Sequence, residues 1–174
     1  TMDWAIKSSI EPTLAAKEAG LYTVFFTIDS TRSDLNRYLD LMEQVATEGH
    51  MDSMTLADSF GVCTPQGIAM VVSKLRARFT QPIEIHCHED FGLGVANTVS
   101  ALANGASVAH VTVSATGERA GNVPLEDTVM ALKVLYGVDT GVKTEGFYEL
   151  SKLVQELSAI TVPTNRPIVG DSLY

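Results

Sequence analysis

Apolar positions along this chain recur with two periods, near 3.6 and near 2, and the switching between them divides the sequence into strand-then-helix units. A leading helix is expected over residues 5–19, with Ile6, Ile10, Leu14 and Ala15 as its apolar positions, Pro12 disturbing its first half and Gly20 closing it. Residues 21–28 are β-branched and aromatic enough for a buried strand, and residues 29–32 turn the chain. Leu35, Leu39, Met42 and Ala46 then repeat at helical spacing, with Ser33 as the expected N-cap and Gly49 as the stop. A second unit has a strand at 53–57, a loop at 58–63 and a helix at 65–79, opened by Thr64 and Pro65. The third runs from a strand at 83–88 through the Asp90 loop to a helix ending near Asn104. The fourth is a strand at 108–114, a glycine-bracketed loop, and a helix at 124–136 stopped by Gly137. Residues 145–159 make one more amphipathic helix, and the tail from Thr161, with Pro163 and Pro167, is expected to be extended. Parallel strands cannot be joined by tight turns, so this alternation calls for a parallel sheet with crossover helices, and the fold class is α/β. Periodicity by itself leaves a closed barrel and an open doubly wound sheet equally open.

The chemistry concentrates between His86 and Asn122. On the third strand Glu84, His86 and His88 share one face, and Ile83, Ile85 and Cys87 share the other. Two imidazoles two residues apart on a strand can chelate one divalent ion, although a lone His-x-His is more often a pair of satisfied polar residues. The second half of the stretch adds Gly117-Glu118-Arg119-Ala120-Gly121-Asn122 ahead of a helix.

His86-Cys87-His88-Glu89-Asp90-Phe91-Gly92, then Val95-Ala96-Asn97, then the glycine loop, resembles the metal-dependent Claisen-condensing barrel enzymes. These are the isopropylmalate, homocitrate and citramalate synthases, relatives of 3-hydroxy-3-methylglutaryl-CoA lyase. The resemblance covers nearly the whole chain, to Pro167-Ile168-Val169-Gly170, and implies a TIM (β/α)8-type barrel of which residues 1–144 form the C-terminal half, strands five to eight. Residues 145–174 would then lead out of the barrel. It also implies that His86, His88 and Asn122 hold a divalent ion: zinc, manganese or iron, or magnesium with added water and carboxylates. Ser59 stands where the family usually has a threonine that binds the oxo-acid carboxylate, and Glu118 and Arg119 are further substrate-binding candidates. Turn capping and a structural loop ion pair are the plainer uses of these residues. Asp58, Asp90 and Asn97 are expected to support the ligands from behind. His50 and His110 match no metal position and are expected to be surface or core histidines.

Two departures stand out. Glu89 replaces a usual asparagine. The family's Phe-Ser-x-Glu-Asp, whose serine and glutamate point inward, is here Phe25-Phe26-Thr27-Ile28-Asp29, so a polar wall has become apolar. The implied activity is condensation of acetyl-CoA with a 2-oxo acid. A carbon-carbon lyase or aldolase, and a non-catalytic metal-binding barrel, are the alternatives. The family draws an aspartate ligand and an arginine from its first strand, so this chain alone is expected to be inactive until a missing N-terminal half, or a second copy in a homodimer, completes it.

Composition narrows the partners. The 174 residues are 45% apolar, enough for one domain with a substantial core. A net charge of −9 disfavours nucleic acid and anionic membranes as partners. Two cysteines make no disulfide framework, and the N-terminus has no basic region followed by an apolar core, so a cytoplasmic setting is expected. No apolar run reaches the roughly 20 residues a membrane helix needs.

Overall fold

A computed structural model describes residues 2–173. Helix α1 (Met2–Glu18) precedes β1 (Val24–Thr27), α2 (Leu35–Glu48), β2 (Ser53–Asp58), α3 (Pro65–Arg78), β3 (Ile83–Cys87), α4 (Gly94–Ala103), β4 (Val108–Ala109), α5 (Leu125–Leu135) and α6 (Phe147–Ser158). The four strands are parallel and lie in the order β1-β2-β3-β4. A sheet that advances in one direction, with no reversal of strand order, is what a barrel segment has and a doubly wound sheet lacks.

Strand parity sorts the residues between two faces. Met54 and Leu56 of β2 and Ile83, Ile85 and Cys87 of β3 are fully buried, packed with Leu39, Met42, Val45, Ile68, Val72 and Leu75 of the helices. Burial pushes the Cys87 thiol upward, as expected for a packing residue. The register pairs Phe26 with Thr55, Thr55 with Glu84, and Glu84 with Val108, which puts these four on the opposite face. That face is only partly covered: Phe26 is 42% and Val108 41% exposed.

Several elements differ from expectation for identifiable reasons. The α1 helix runs through Pro12 and ends in Gly20 at φ 72, with Leu21 N–H donating to the Ala16 carbonyl and Gly20 N–H to that of Lys17. Its buried position is Thr13 rather than Leu14, because the Thr13 hydroxyl accepts from His50 N–H at 3.1 Å and so anchors the turn after α2. The α2 cap is Asp34, not Ser33, since its carboxylate accepts from Arg37 N–H at 3.0 Å. The β1 strand keeps only 24–27, because Asp29 turns left-handed at φ 61. The fourth strand is two residues long: after Ala109 the chain bends into a 3-10 helix at Val113–Ala115, with Ser114 and Ala115 both at positive φ. The tail is not extended. It folds back in turns and a 3-10 helix (Asp171–Leu173) onto α5 and α6, where Val129, Phe147 and Val169 make a small second core.

Arg166 of this tail sits 3.1 Å from Asp127 of α5. The Asp127 carboxyl is nevertheless pushed up to about 6, because burial outweighs the pull of Arg166, and Glu126 and Glu89 add to the rise. The sign is that of an acid whose folded pKa lies above its unfolded one: its contribution to stability is full below about 4 and is lost as pH rises through 6. The stability of Asp127→Asn relative to the unaltered chain should therefore climb between pH 4 and 7 in urea unfolding at stepped pH. A difference that stays level would show a carboxylate ionised throughout.

Candidate functional site

The residues singled out by sequence lie at the C-terminal ends of the strands, where barrel enzymes carry their chemistry. His86 is on β3 and His88 just beyond it. Both rings face the same way, with Nε2 atoms 3.3 Å apart and ring centroids at 5.1 Å. The contact is either one Nε2–H donated to the other ring or two lone pairs facing a shared cation. Two nitrogens each roughly 2.1 Å from one ion at a near-tetrahedral angle would lie roughly 3.4 Å apart, so the separation suits chelation. Burial, then His88 and His110, push the His86 imidazole down to about 4 against the pull of Glu118, so the ring is neutral at pH 7, as a ligand must be.

Asn122 is brought to His88 by backbone pairing. The two residues form an antiparallel bridge, and Glu89 N–H donates to the Gly121 carbonyl at 3.0 Å. Directly opposed residues project their side chains to one side. The loop can close this tightly because Gly121 has φ +100 and a Cβ there would meet the Ala115 carbonyl. Asn122 Oδ1 and His88 Nδ1 are buried without a hydrogen-bond partner. An orphaned acceptor on the strand paired with His88, whose ring meets that of His86, fits a cation. Among the described residues no cluster of three or more His, Cys, Asp or Glu is set to hold one, so any further ligand would come from water, substrate or another segment.

Asp58 lies wholly buried on the helix side of β2. Its carboxylate accepts from Thr31 Oγ1 at 2.7 Å, Val62 N–H at 3.1 Å, Cys63 N–H at 3.2 Å and Asn97 Nδ2 at 3.3 Å, and its carbonyl accepts from His88 N–H at 3.3 Å. Asn97, also fully buried, donates as well to the Cys63 carbonyl at 2.8 Å. These two residues tie the loops after β1 and β2 to α4 and seat the backbone of His88.

Ser59 and Arg119 belong to a rim around the mouth. Ser59 Oγ accepts from Asp29 N–H at 2.7 Å, which leaves its own hydroxyl proton free to donate. Arg119 grips both oxygens of Asp90, at 2.9 and 3.0 Å, and donates to the Ser59 carbonyl. That grip holds the Asp90 carboxyl below its ordinary range. The guanidinium groups of Arg32 and Arg119 both lie over the Phe60 ring, 4.1 and 5.1 Å from its centroid. Glu118, 81% exposed, is 3.6 Å from Arg119. Glu89 is turned inward to cap α4, accepting from Gly94 N–H at 3.1 Å and Val95 N–H at 3.2 Å.

The structure also places beside the site a residue that sequence reasoning set apart. His110 packs 5.5 Å from His86 and pairs with the buried Glu84 at 2.6 Å. The strand register sets this neighbourhood, which local spacing does not show: His110 N–H donates to the Ile85 carbonyl and so lands next to His86. His50 instead pairs with Asp52 at 3.2 Å, ahead of β2 at the far end of the sheet.

A one-directional parallel sheet that carries His86, His88 and Asn122 at its C-terminal end is the arrangement of an α/β barrel wall. A family model described as HMGL-like matches residues 1–154, and the chain belongs to that family. It is 43% identical over 172 residues to a putative (R)-citramalate synthase of Archaeoglobus fulgidus, covering 99% of this chain and 35% of that protein. It is 41% identical to the (R)-citramalate synthase of Methanocaldococcus jannaschii, across 100% of this chain and 35% of the relative. A homocitrate synthase of Methanopyrus kandleri is 42% identical over 91% of this chain and 40% of its own length. The chain thus spans little more than a third of these relatives. Among solved structures, the Bacillus subtilis HMG-CoA lyase superposes with a TM-score of 0.74 at 25% identity, over 87% of this chain and 54% of that one. Among the described residues no helix is long and apolar enough to cross a membrane.

Proposed function

We propose that this chain is the C-terminal half of a catalytic barrel that condenses acetyl-CoA with a 2-oxo acid, as citramalate synthase does. The observation that supports this most is the convergence of His86, His88 and Asn122, with an unpartnered amide oxygen, at the strand ends. A divalent ion held there would polarise the ketone of the bound oxo acid. The chain's own residues would do the rest: the Ser59 hydroxyl donates to the oxo-acid carboxylate, and the Asp58–Asn97 pair keeps the loops from shifting. The partly open inner face of the sheet is where the other half of the barrel would pack, supplied by a further segment or a second copy. Free CoA release from acetyl-CoA across a panel of 2-oxo acids, by the protein carrying this chain, is the test. Pyruvate release from hydroxy-oxo acids without CoA release would favour the lyase or aldolase reading, which the loss of the family's inward glutamate at Ile28 supports.

The apolar wall predicts specificity. Phe26 lies 5.2 Å from the His86 ring, so it faces the proposed substrate, and Ile28, 79% exposed, continues that face beyond the strand end. Such a wall favours an oxo acid with a small or apolar side chain. Ile28→Glu should shift preference toward more polar oxo acids by roughly tenfold, the size of about 1.4 kcal/mol of differential binding. Unchanged relative kcat/KM across the panel would place these side chains outside the pocket.

A further inference from the structure

A metal-binding histidine ordinarily donates its second ring N–H to a carboxylate or carbonyl, which fixes the plane of the ring. His86 lacks that device. Among the described residues its only hydrogen-bond partner through the side chain is the His88 ring. It is instead enclosed by rings that meet it edge-on: Phe26 at 5.2 Å and 68°, His88 at 5.1 Å and 70°, and His110 at 5.5 Å and 72°.

We infer that Phe26 and His110, with Glu84 and Ser53 behind them, form a brace that sets the plane of the His86 ring. The inference rests on the proposed metal site. The brace begins on β2, where Ser53 Oγ donates to Glu84 Oε1 at 2.6 Å. The other Glu84 oxygen meets His110 Nε2 at 2.6 Å, so both carboxylate oxygens are taken and the His110 ring cannot turn without breaking this partly buried contact. His110 in turn stacks on Phe26, 5.9 Å between centroids and 21° between planes. These two nearly parallel rings each wall the His86 ring, which meets both edge to face, an arrangement favoured by ring quadrupoles. Rotation of the His86 ring about its Cβ–Cγ bond would swing it into one wall or the other. Nε2 is thereby kept aimed at the position shared with His88. Three strands and the residue just after the fourth each contribute one part, which gives the buried Glu84 a role on this partly covered face. Phe26 acts here as a positioning residue, in addition to its effect on the shape of the pocket.

The test separates the brace from the metal reading. Crystal structures of the metal-free Phe26→Ala and His110→Ala variants should show the His86 ring turned and the Nε2–Nε2 separation widened beyond 3.3 Å. Phe26→Tyr, which keeps the ring, should leave both unchanged. Rings that stay in place in both alanine variants overturn the brace. In parallel, Co2+ titration followed by visible absorption should give affinities lower by about 10- to 100-fold in the alanine variants, the usual effect of losing a ligand's support, with restoration by Phe26→Tyr. Affinities equal to the unaltered chain's would also overturn it. If the unaltered chain takes up no Co2+, the metal reading alone fails, and the ring geometry still decides the brace.

Discussion

Asp58→Ala should lower the stability of the chain by about 3 to 5 kcal/mol, since each buried donor left without an acceptor costs about 1 to 3 kcal/mol. Four donors converge on this carboxylate: the Thr31 hydroxyl, the Val62 and Cys63 N–H groups and the Asn97 amide. Asn97 keeps the Cys63 carbonyl, but the other three have no obvious substitute, because Asp58 is completely buried and the loop after β2 is folded around it. Thr31→Val removes one bond and leaves the other three, so it should cost only about 1 kcal/mol. Asp58→Asn should fall close to the alanine variant, because an amide presents a second donor to groups that already donate. Urea unfolding of the three variants reads all of this directly. A loss under about 1 kcal/mol for Asp58→Ala would mean that water enters and takes over the carboxylate's bonds. The prediction also fixes the meaning of the residue: it holds the loops that carry Ser59 and His88, and any loss of activity in Asp58 variants should track the loss of fold.

The units of this fold were legible because each signal is local. Gly20 and Gly49 end helices where expected, Thr64 caps α3 by accepting from Gly67 N–H, and the alternation of β3 sorted its histidines from its isoleucines correctly. The site was legible only in part, for a physical reason. Sequence spacing fixes which face a strand residue occupies, and so it paired His86 with His88. It says nothing about what lies across a parallel register, and so Glu84 and His110, 26 residues apart, could not be joined by inspection. Strand parity also carried a warning about Asp58: it shares a face with Leu56 and Met54, toward the helices, and belongs to the loop scaffold. The fourth strand was overestimated because its β-branched run continues past Ala109, where the ladder ends, up to the point where Ser114 and Ala115 turn left-handed, a conformation that their residue types do not announce.

His86→Ala and His88→Ala should each lower kcat/KM for CoA release by about 10³-fold or more, since losing polarisation worth several kcal/mol slows the chemical step by that order. The two variants should be nearly equivalent and not additive, because a chelate broken at one nitrogen has already lost its geometry. His88, 6% exposed, should also cost some stability when truncated, whereas the half-buried His86 should cost less. Asn122→Ala removes an oxygen that has no hydrogen-bond partner to lose, so its effect should fall on activity and metal uptake and little on folding. His50→Ala supplies the control: its ring pairs with Asp52 at the opposite end of the sheet, and turnover should be unchanged. Metal content after dialysis against a chelator and re-addition of Zn2+ or Mn2+ should fall in the same order as activity across the four variants. Histidine variants that keep both metal and turnover would show that the 3.3 Å contact is an ordinary hydrogen bond between two rings, and that the reaction is carried elsewhere.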